Sequence, residues 1–192
     1  MRILFTLLLS CLFLYGFSNK KAGALYTGTD TLKKHVKKDI VFPEPVNINK
    51  LFYVQRDPNT NTVIYELNSD NSGELDVKDP LHVYWIKYAE RGQKEELNYI
   101  QRKFAYGITA KEIQKDEFDI RFVAYKKMTM NLLKSTDGKY HIFATIAKKQ
   151  AILNRIFVKI DGGSFWIPNI VYVELKGTDP VTGKEIMERF KP

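Results

Sequence analysis

The stretch NSDNSGELDVKD carries oxygen-bearing side chains close to the spacing of a calcium loop. With Asn68 as position one, Asp70 stands at three, Ser72 at five, Gly73 at six, Glu74 at seven, Asp76 at nine and Asp79 at twelve. Alternating oxygens and a turn glycine are what a hard cation requires. The register departs from that pattern at both ends. An amide opens it, a short Asp closes it where a bidentate Glu is usual, and the flanks read as strands. Asn68, Asp70, Ser72, Glu74, Asp76 and Asp79 are thus candidate ligands for a weak calcium site at most, and the expectation is a polar interstrand loop with no metal or other cofactor.

A second constellation is Tyr99, Arg102, Lys103 and Tyr106, three or four residues apart. On a helix that spacing gathers two phenols and two cations on one patch, able to stack on and hydrogen-bond an anionic or sugar-like ligand. Gln101 falls between Leu97 and Phe104 on the opposite stripe, so its amide must find a partner and reads as structural. Catalytic patterns are sparse. His35, His82 and His141 lie in a tether and two strands, with no zinc-site spacing, and Ser164 follows two glycines without the flanks of a nucleophile elbow. No catalytic residue is assigned. Were the protein an enzyme, acids such as Glu66 or Asp119 would be its working groups.

The elements that must hold these residues are mostly strands, arranged around Leu81 to Gly107. Leu81, Val83 and Trp85 alternate with His82, Tyr84 and Ile86, so both faces of an extended chain are apolar or aromatic and both need cover. From Lys94 the period changes: Leu97, Ile100, Phe104 and Ile108 form one helical stripe, with acids early, bases late and Gly107 as the stop. LFYVQR and TVIYELN flank the turn Asp57-Pro58-Asn59, and Thr136-Asp137-Gly138 marks another hairpin. EFDIRFVAY alternates cleanly, Ala151 to Ile160 reads as a strand, Pro168 opens the next, and Lys184 to Phe190 closes the chain. The fold class expected is mainly β (α+β), an antiparallel sandwich or open barrel of about eight or nine strands with one packed helix at 94–106.

Met1-Arg2 precedes the apolar run ILFTLLLSCLFLYGF, which has signal-peptide length and is short for a bilayer span. Cleavage is expected after Ser18 or after Ala24, which gives a signal peptide at 1–18, a basic tether at 19–45 and a single β-rich domain at 46–192. A lipoprotein alternative rests on Leu8-Leu9-Ser10 before Cys11, the single cysteine, so the rest of the chain has no disulfide framework. The formal charge of +8 is spread over Lys-Lys pairs. Outside the cytoplasm such a protein meets anionic lipid head groups or envelope polymers rather than nucleic acid. The Lys-rich tether, with Leu32, Val36 and Ile40 every fourth residue, is able to contact a membrane surface.

LFYVQRDPNTNTVIYELN, LHVYWIKYAERGQKEELNYIQRKFAYG, IFVKIDGG and VYVELKGTDPVTGKEIMERFKP together resemble a bacterial family of exported proteins, domain of unknown function 4833. The resemblance covers about Lys50 to Pro192. It implies a secreted single domain and carries over no catalytic residue. The leading expectation is therefore a non-enzymatic protein of the periplasm or cell envelope that binds a protein partner or an anionic, sugar-like ligand through the helix face or a sheet surface. The alternatives are an enzyme acting on an envelope polymer or lipid, and a structural assembly component.

Overall fold

The computed structural model describes residues 40–69, 74–163 and 168–192. The expected signal peptide, the tether as far as residue 39 with His35, Cys11, and also Asp70, Ser72, Gly73 and Ser164 lie outside the described residues. Strands β1 (Phe52–Arg56) and β2 (Asn59–Leu67) form the hairpin expected around Asp57-Pro58-Asn59. Strand β3 (Leu81–Ile86) pairs with β2 on one edge and with the short β4 (Lys94–Glu96) on the other. After helix α1 (Tyr99–Phe104), β5 (Ile108–Gln114), β6 (Glu117–Phe122), β7 (Met130–Lys134) and β8 (Tyr140–Ile146) run as an antiparallel meander. Strands β9 (Lys149–Gly163), β10 (Pro168–Thr178) and β11 (Glu185–Phe190) complete the sheet.

The protein is mainly β with one short helix, as the patterning implies, and its sheet curls into a half-barrel. The organising element is β9 rather than β3. On one edge, β9 pairs with β10 along most of its length. Its other edge is shared: Lys149 to Ile152 pair antiparallel with β8, and Arg155 to Val158 pair parallel with β1. The sheet therefore splits into two arms at Asn154. A bulge lies there too, because Leu153 faces Gly177 while Arg155 faces Lys176, which leaves Asn154 without a register partner. One extra residue reverses the facing of all side chains beyond it, so Leu153 and Ile156 both reach the core while Arg155 points outward.

The inner faces of the two arms enclose the main core. Phe52 stacks on Tyr65 with ring centroids 4.3 Å apart, and both meet Phe122 of the other arm edge-on, at 6.1 and 5.8 Å. Each such ring, fully buried, contributes about 1.5–3 kcal/mol. Strand β3 does have two covered faces: Leu81, Val83 and Trp85 join the main core, while Tyr84 and Ile86 join a smaller outer cluster with Tyr53, Ile64, Ile48 and Tyr88. The helix does not cover that outer face. The segment before β1 helps to do so, and residues assigned to the tether already dock on the domain. Phe42 sits edge-on to Phe157 at 4.9 Å, and the Pro43 carbonyl accepts from Gln55 Nε2 at 2.7 Å.

The helix expected at 94–106 is shorter and turned differently. Residues Lys94 to Glu96 pair with the edge of β3, so no acid sits in the first turn. Ile100 and Phe104 are each 42% exposed, and Gln101 is the residue the helix buries. Leu97 and Tyr106, just outside either end, anchor it in the core. A reciprocal capping box starts it: Asn98 Oδ1 accepts from Gln101 N at 2.9 Å, and Gln101 Oε1 accepts from Asn98 N at 3.0 Å. Six residues are too few for a helix to persist unaided, so these flanking anchors are what keep it in place. Gly107 ends it by close approach, since a Cβ there would lie 1.8 Å from the Arg102 carbonyl oxygen.

Candidate functional site

Where the two arms part, the outer surface is hollowed. A cleft of ≈ 570 Å³ lies between the Phe42 to Leu51 segment and strands β1, β9 and β10, lined by Tyr53, Gln55, Asn154, Arg155, Lys176 and Glu185 among others. A second hollow of ≈ 620 Å³ runs from there toward the β7–β8 hairpin, past Lys139, Tyr140, His141 and Thr178. The two share Asn49, Lys50, Leu51 and Asn154, so they form one trough along the split. Sheet geometry accounts for the lining. Outward residues of β1, β9 and β10 stand in register, Tyr53 opposite Arg155 and Arg155 opposite Lys176.

The polar groups in this trough are held rather than loose. Arg155 Nε donates to Gln55 Oε1 at 2.9 Å, its guanidinium lies 3.6 Å from Glu174 and 4.8 Å above the Phe157 ring. Glu174, itself buried, is closed from the other side by Arg189 at 2.7 Å. Gln55 also donates to Thr62 Oγ1 at 3.0 Å, which fixes its amide orientation. Lys176 pairs with Glu185 at 2.7 Å, and Lys50 donates to the Pro45 carbonyl at 2.5 Å with its ammonium 5.9 Å over the Tyr53 ring. Burial pushes the Tyr53 phenol up, partly offset by Arg155, so it stays a neutral hydrogen-bonding group at physiological pH. Asn154 Nδ2 donates to Thr178 Oγ1 at 2.7 Å. Cations, amides and ring faces on a fixed scaffold suit an elongated polar ligand with negative charge.

A family model described as a domain of unknown function (DUF4833) matches residues 52–189. The chain belongs to this family. The matched span runs from the first residue of β1 to the penultimate residue of β11, so the DUF4833 domain is the half-barrel itself. No curated protein and no solved structure matches the chain. Phe42 to Leu51 lie outside the matched span, yet they form one wall of the trough.

The residues singled out by spacing are distributed over the DUF4833 domain as follows. Tyr99 and Lys103 do meet, with Lys103 Nζ donating to the Tyr99 hydroxyl at 2.9 Å, and Arg102 reaches Glu96 at 3.9 Å. Tyr106 is not on that patch. It is buried against Trp85, rings 4.8 Å apart, because the chain turns inward once the helix ends at Phe104. In the calcium register, Asn68 Nδ2 donates to the Asp79 carbonyl, and Asp76 Oδ1 accepts from Lys78 N and Asp79 N, so these side chains close the turn. Among the described residues, no group of three or more His, Cys, Asp or Glu is placed to hold a metal ion.

His82 and His141 do not meet. His82 lies between two carboxylates, Nδ1 at 2.9 Å from Glu66 and Nε2 at 2.9 Å from Glu96, and His141 faces Asp137 at 2.9 Å. Glu66 further accepts from Tyr84 and lies 3.6 Å from Lys94, whose ammonium sits 3.7 Å over the Tyr84 ring. Burial first, and Glu66 second, hold the Tyr84 phenol well above its ordinary range. Asp119 is engaged by Arg121 at 2.9 Å on the other arm. The trough residues themselves escaped the sequence reading. Their signal was a polar Gln55 inside LFYVQR and Asn154-Arg155 inside AILNRIFVKI, polar interruptions of strands that look like ordinary solvent-facing positions.

Proposed function

We propose that this protein is an exported, non-enzymatic binding domain of the cell envelope whose outer trough takes an anionic, sugar-like polymer. The observation that carries this is the joined pair of hollows along the Asn154 split. Lys50, Lys139, Arg155 and Lys176 stand there beside the acids Glu44 and Glu185, with Tyr53 and Tyr140 as ring faces and Asn49 and Asn154 as amides. Rings stack on sugar faces, amides bond hydroxyls and the cations match carboxylates. Hydrolysis of such a polymer draws less support. Glu66 and Asp119 lie on different arms, each is already engaged by a neighbouring side chain, and both nitrogens of His82 are turned to carboxylates. Export rests on the leader's charge and length. The remaining wall of the trough is supplied by residues of the 42–51 segment, which precedes the first strand.

The test is titration calorimetry with oligogalacturonate against neutral maltohexaose. Saturable heat with the acidic oligomer, weakened in Lys176→Gln and in Asn154→Ala, is the expected result. Equal binding of both sugars, or heat that neither variant changes, overturns the assignment of the trough. N-terminal sequencing of protein from its native host checks export, with a start near Asn19 or Leu25 expected, and an intact Met1 refuting it.

A further inference from the structure

A row of outward side chains crosses the floor of the trough from strand to strand. Lys176 of β10 is the antiparallel partner of Arg155 on β9, and Arg155 is the parallel partner of Tyr53 on β1. Two cations therefore stand directly opposite each other on neighbouring strands. Residues so placed have Cβ atoms about 4.5–5.5 Å apart, and like charges there destabilise a sheet. Each cation is offset by an acid, and the two acids differ.

Glu174 balances Arg155 from within the fold, its side chain 8% exposed and tied on the other side by Arg189 at 2.7 Å. Two guanidinium groups share that carboxylate, so the group keeps a positive charge. Gln55 Oε1 holds the Nε of Arg155, which fixes the guanidinium before any ligand arrives. Glu185 balances Lys176 at 2.7 Å from the rim, where its side chain is 59% exposed. Tyr53 feels both cations: burial raises its phenol, Arg155 and Lys176 pull it down, and Glu44 on the facing segment pushes it up. Lys50, on that same segment, is the remaining cation of this hollow.

An exposed carboxylate resting on one of two opposed cations stands where an outside anion would. A ligand carboxylate brings one charge and two oxygens in a plane, whereas a phosphate monoester brings about −1.5 to −2 charges at pH 7 and three acceptor oxygens. Two cations and a phenol suit the second.

We propose that Arg155 and Lys176, with the Tyr53 hydroxyl as a third donor, bind a phosphate monoester carried on a sugar, and that Glu185 is the internal anion this phosphate displaces. The inference rests on the trough reading and narrows its ligand to phosphorylated sugars.

The experiment is calorimetric titration of the full chain with glucose 6-phosphate, glucuronate and inorganic phosphate, at pH 7.5 and pH 5.5. Glucose 6-phosphate is expected to bind about tenfold tighter than glucuronate at pH 7.5. Its affinity should fall about three- to fivefold at pH 5.5, because the second ionisation of the phosphate, near about pH 6, is then reversed. Glucuronate stays ionised at both pH values and reports any change in the protein itself. Lys176→Gln should weaken glucose 6-phosphate about tenfold, and Glu185→Gln should tighten it about two- to fivefold, by removing the competing carboxylate of an exposed ion pair. A gain of affinity does not arise from misfolding. Equal affinity for glucose 6-phosphate and glucuronate, or a loss in Glu185→Gln, overturns the phosphate site, while binding of oligogalacturonate would still uphold the trough. Heat with none of these anions, oligogalacturonate included, overturns both. Inorganic phosphate bound as tightly as glucose 6-phosphate overturns the assignment to a sugar-borne group.

Discussion

Gln101 and Tyr140 illustrate how single polar groups are made compatible with this fold. Gln101 is buried, yet its side chain completes the capping box, and its carbonyl accepts from both Ala105 N and Tyr106 N. Asn98→Ala should therefore cost about 1 kcal/mol in denaturant melts. Leu97→Ala, which empties a core position beside the helix, should cost about 2–5 kcal/mol, whereas Phe104→Ala, on the half-exposed side, should cost about 1 kcal/mol or less. Equal losses for Leu97 and Phe104 would contradict the observed helix phase. Tyr140 is pushed up to about 12, by burial first and then by its hydrogen bond to Asp116. Its native value lies above the ordinary 10.0, so its contribution is complete below pH 10 and is lost as pH rises from there through about 12. Melts at pH 9 and pH 11.5 should show stability falling, with a shallower fall in Tyr140→Phe.

Among the elements, β9 carries the heaviest constraint because two strands share one of its edges. The bulge at Asn154 and Gly177 across from it form a unit: a Cβ at Gly177 would lie 2.6 Å from the Ile152 carbonyl oxygen and 2.7 Å from the Ile146 side chain. Backbone on one side prevents relief by a simple rotamer change. Gly177→Ala should cost about 1–3 kcal/mol by overpacking. It should also widen the β9–β10 spacing at the floor of the trough, which amide exchange at Asn154 and Arg155 would register as lost protection. Unchanged exchange with unchanged stability would mean that the two strands can separate there without consequence.

At the scale of the molecule, two arms fold toward each other on one face and leave a split on the other. The shared core fills the first space, and polar side chains line the second. No helix among the described residues is long and apolar enough to cross a membrane. Binding in the trough is expected to weaken steadily with added salt, since its cations are partly exposed and screened over about 10 Å at 0.1 M. A salt-independent affinity for oligogalacturonate would move the weight of recognition from Lys50 and Lys176 to the rings and amides.

Alternation and turn chemistry alone determined that the chain is strand-rich, where its hairpins turn, and that β3 is covered on both faces, because these follow from side-chain period and local backbone preference. The helix phase was not legible. The spacing of Leu97, Ile100 and Phe104 fits a buried stripe, but the edge of β3 captured Lys94 to Glu96 and delayed the helix to Tyr99, which turned Ile100 and Phe104 outward. Strand β5 was equally hidden, since only Ile108 and Ala110 of this edge strand pack against the core and Lys111 to Gln114 are all exposed, too short an alternation to read. Only the tertiary structure brought Tyr53, Arg155 and Lys176 side by side, through a parallel pairing between strands about a hundred residues apart. Local preference has no term for that distance. Long-range pairing and a one-residue bulge decided where the polar side chains of β9 would point.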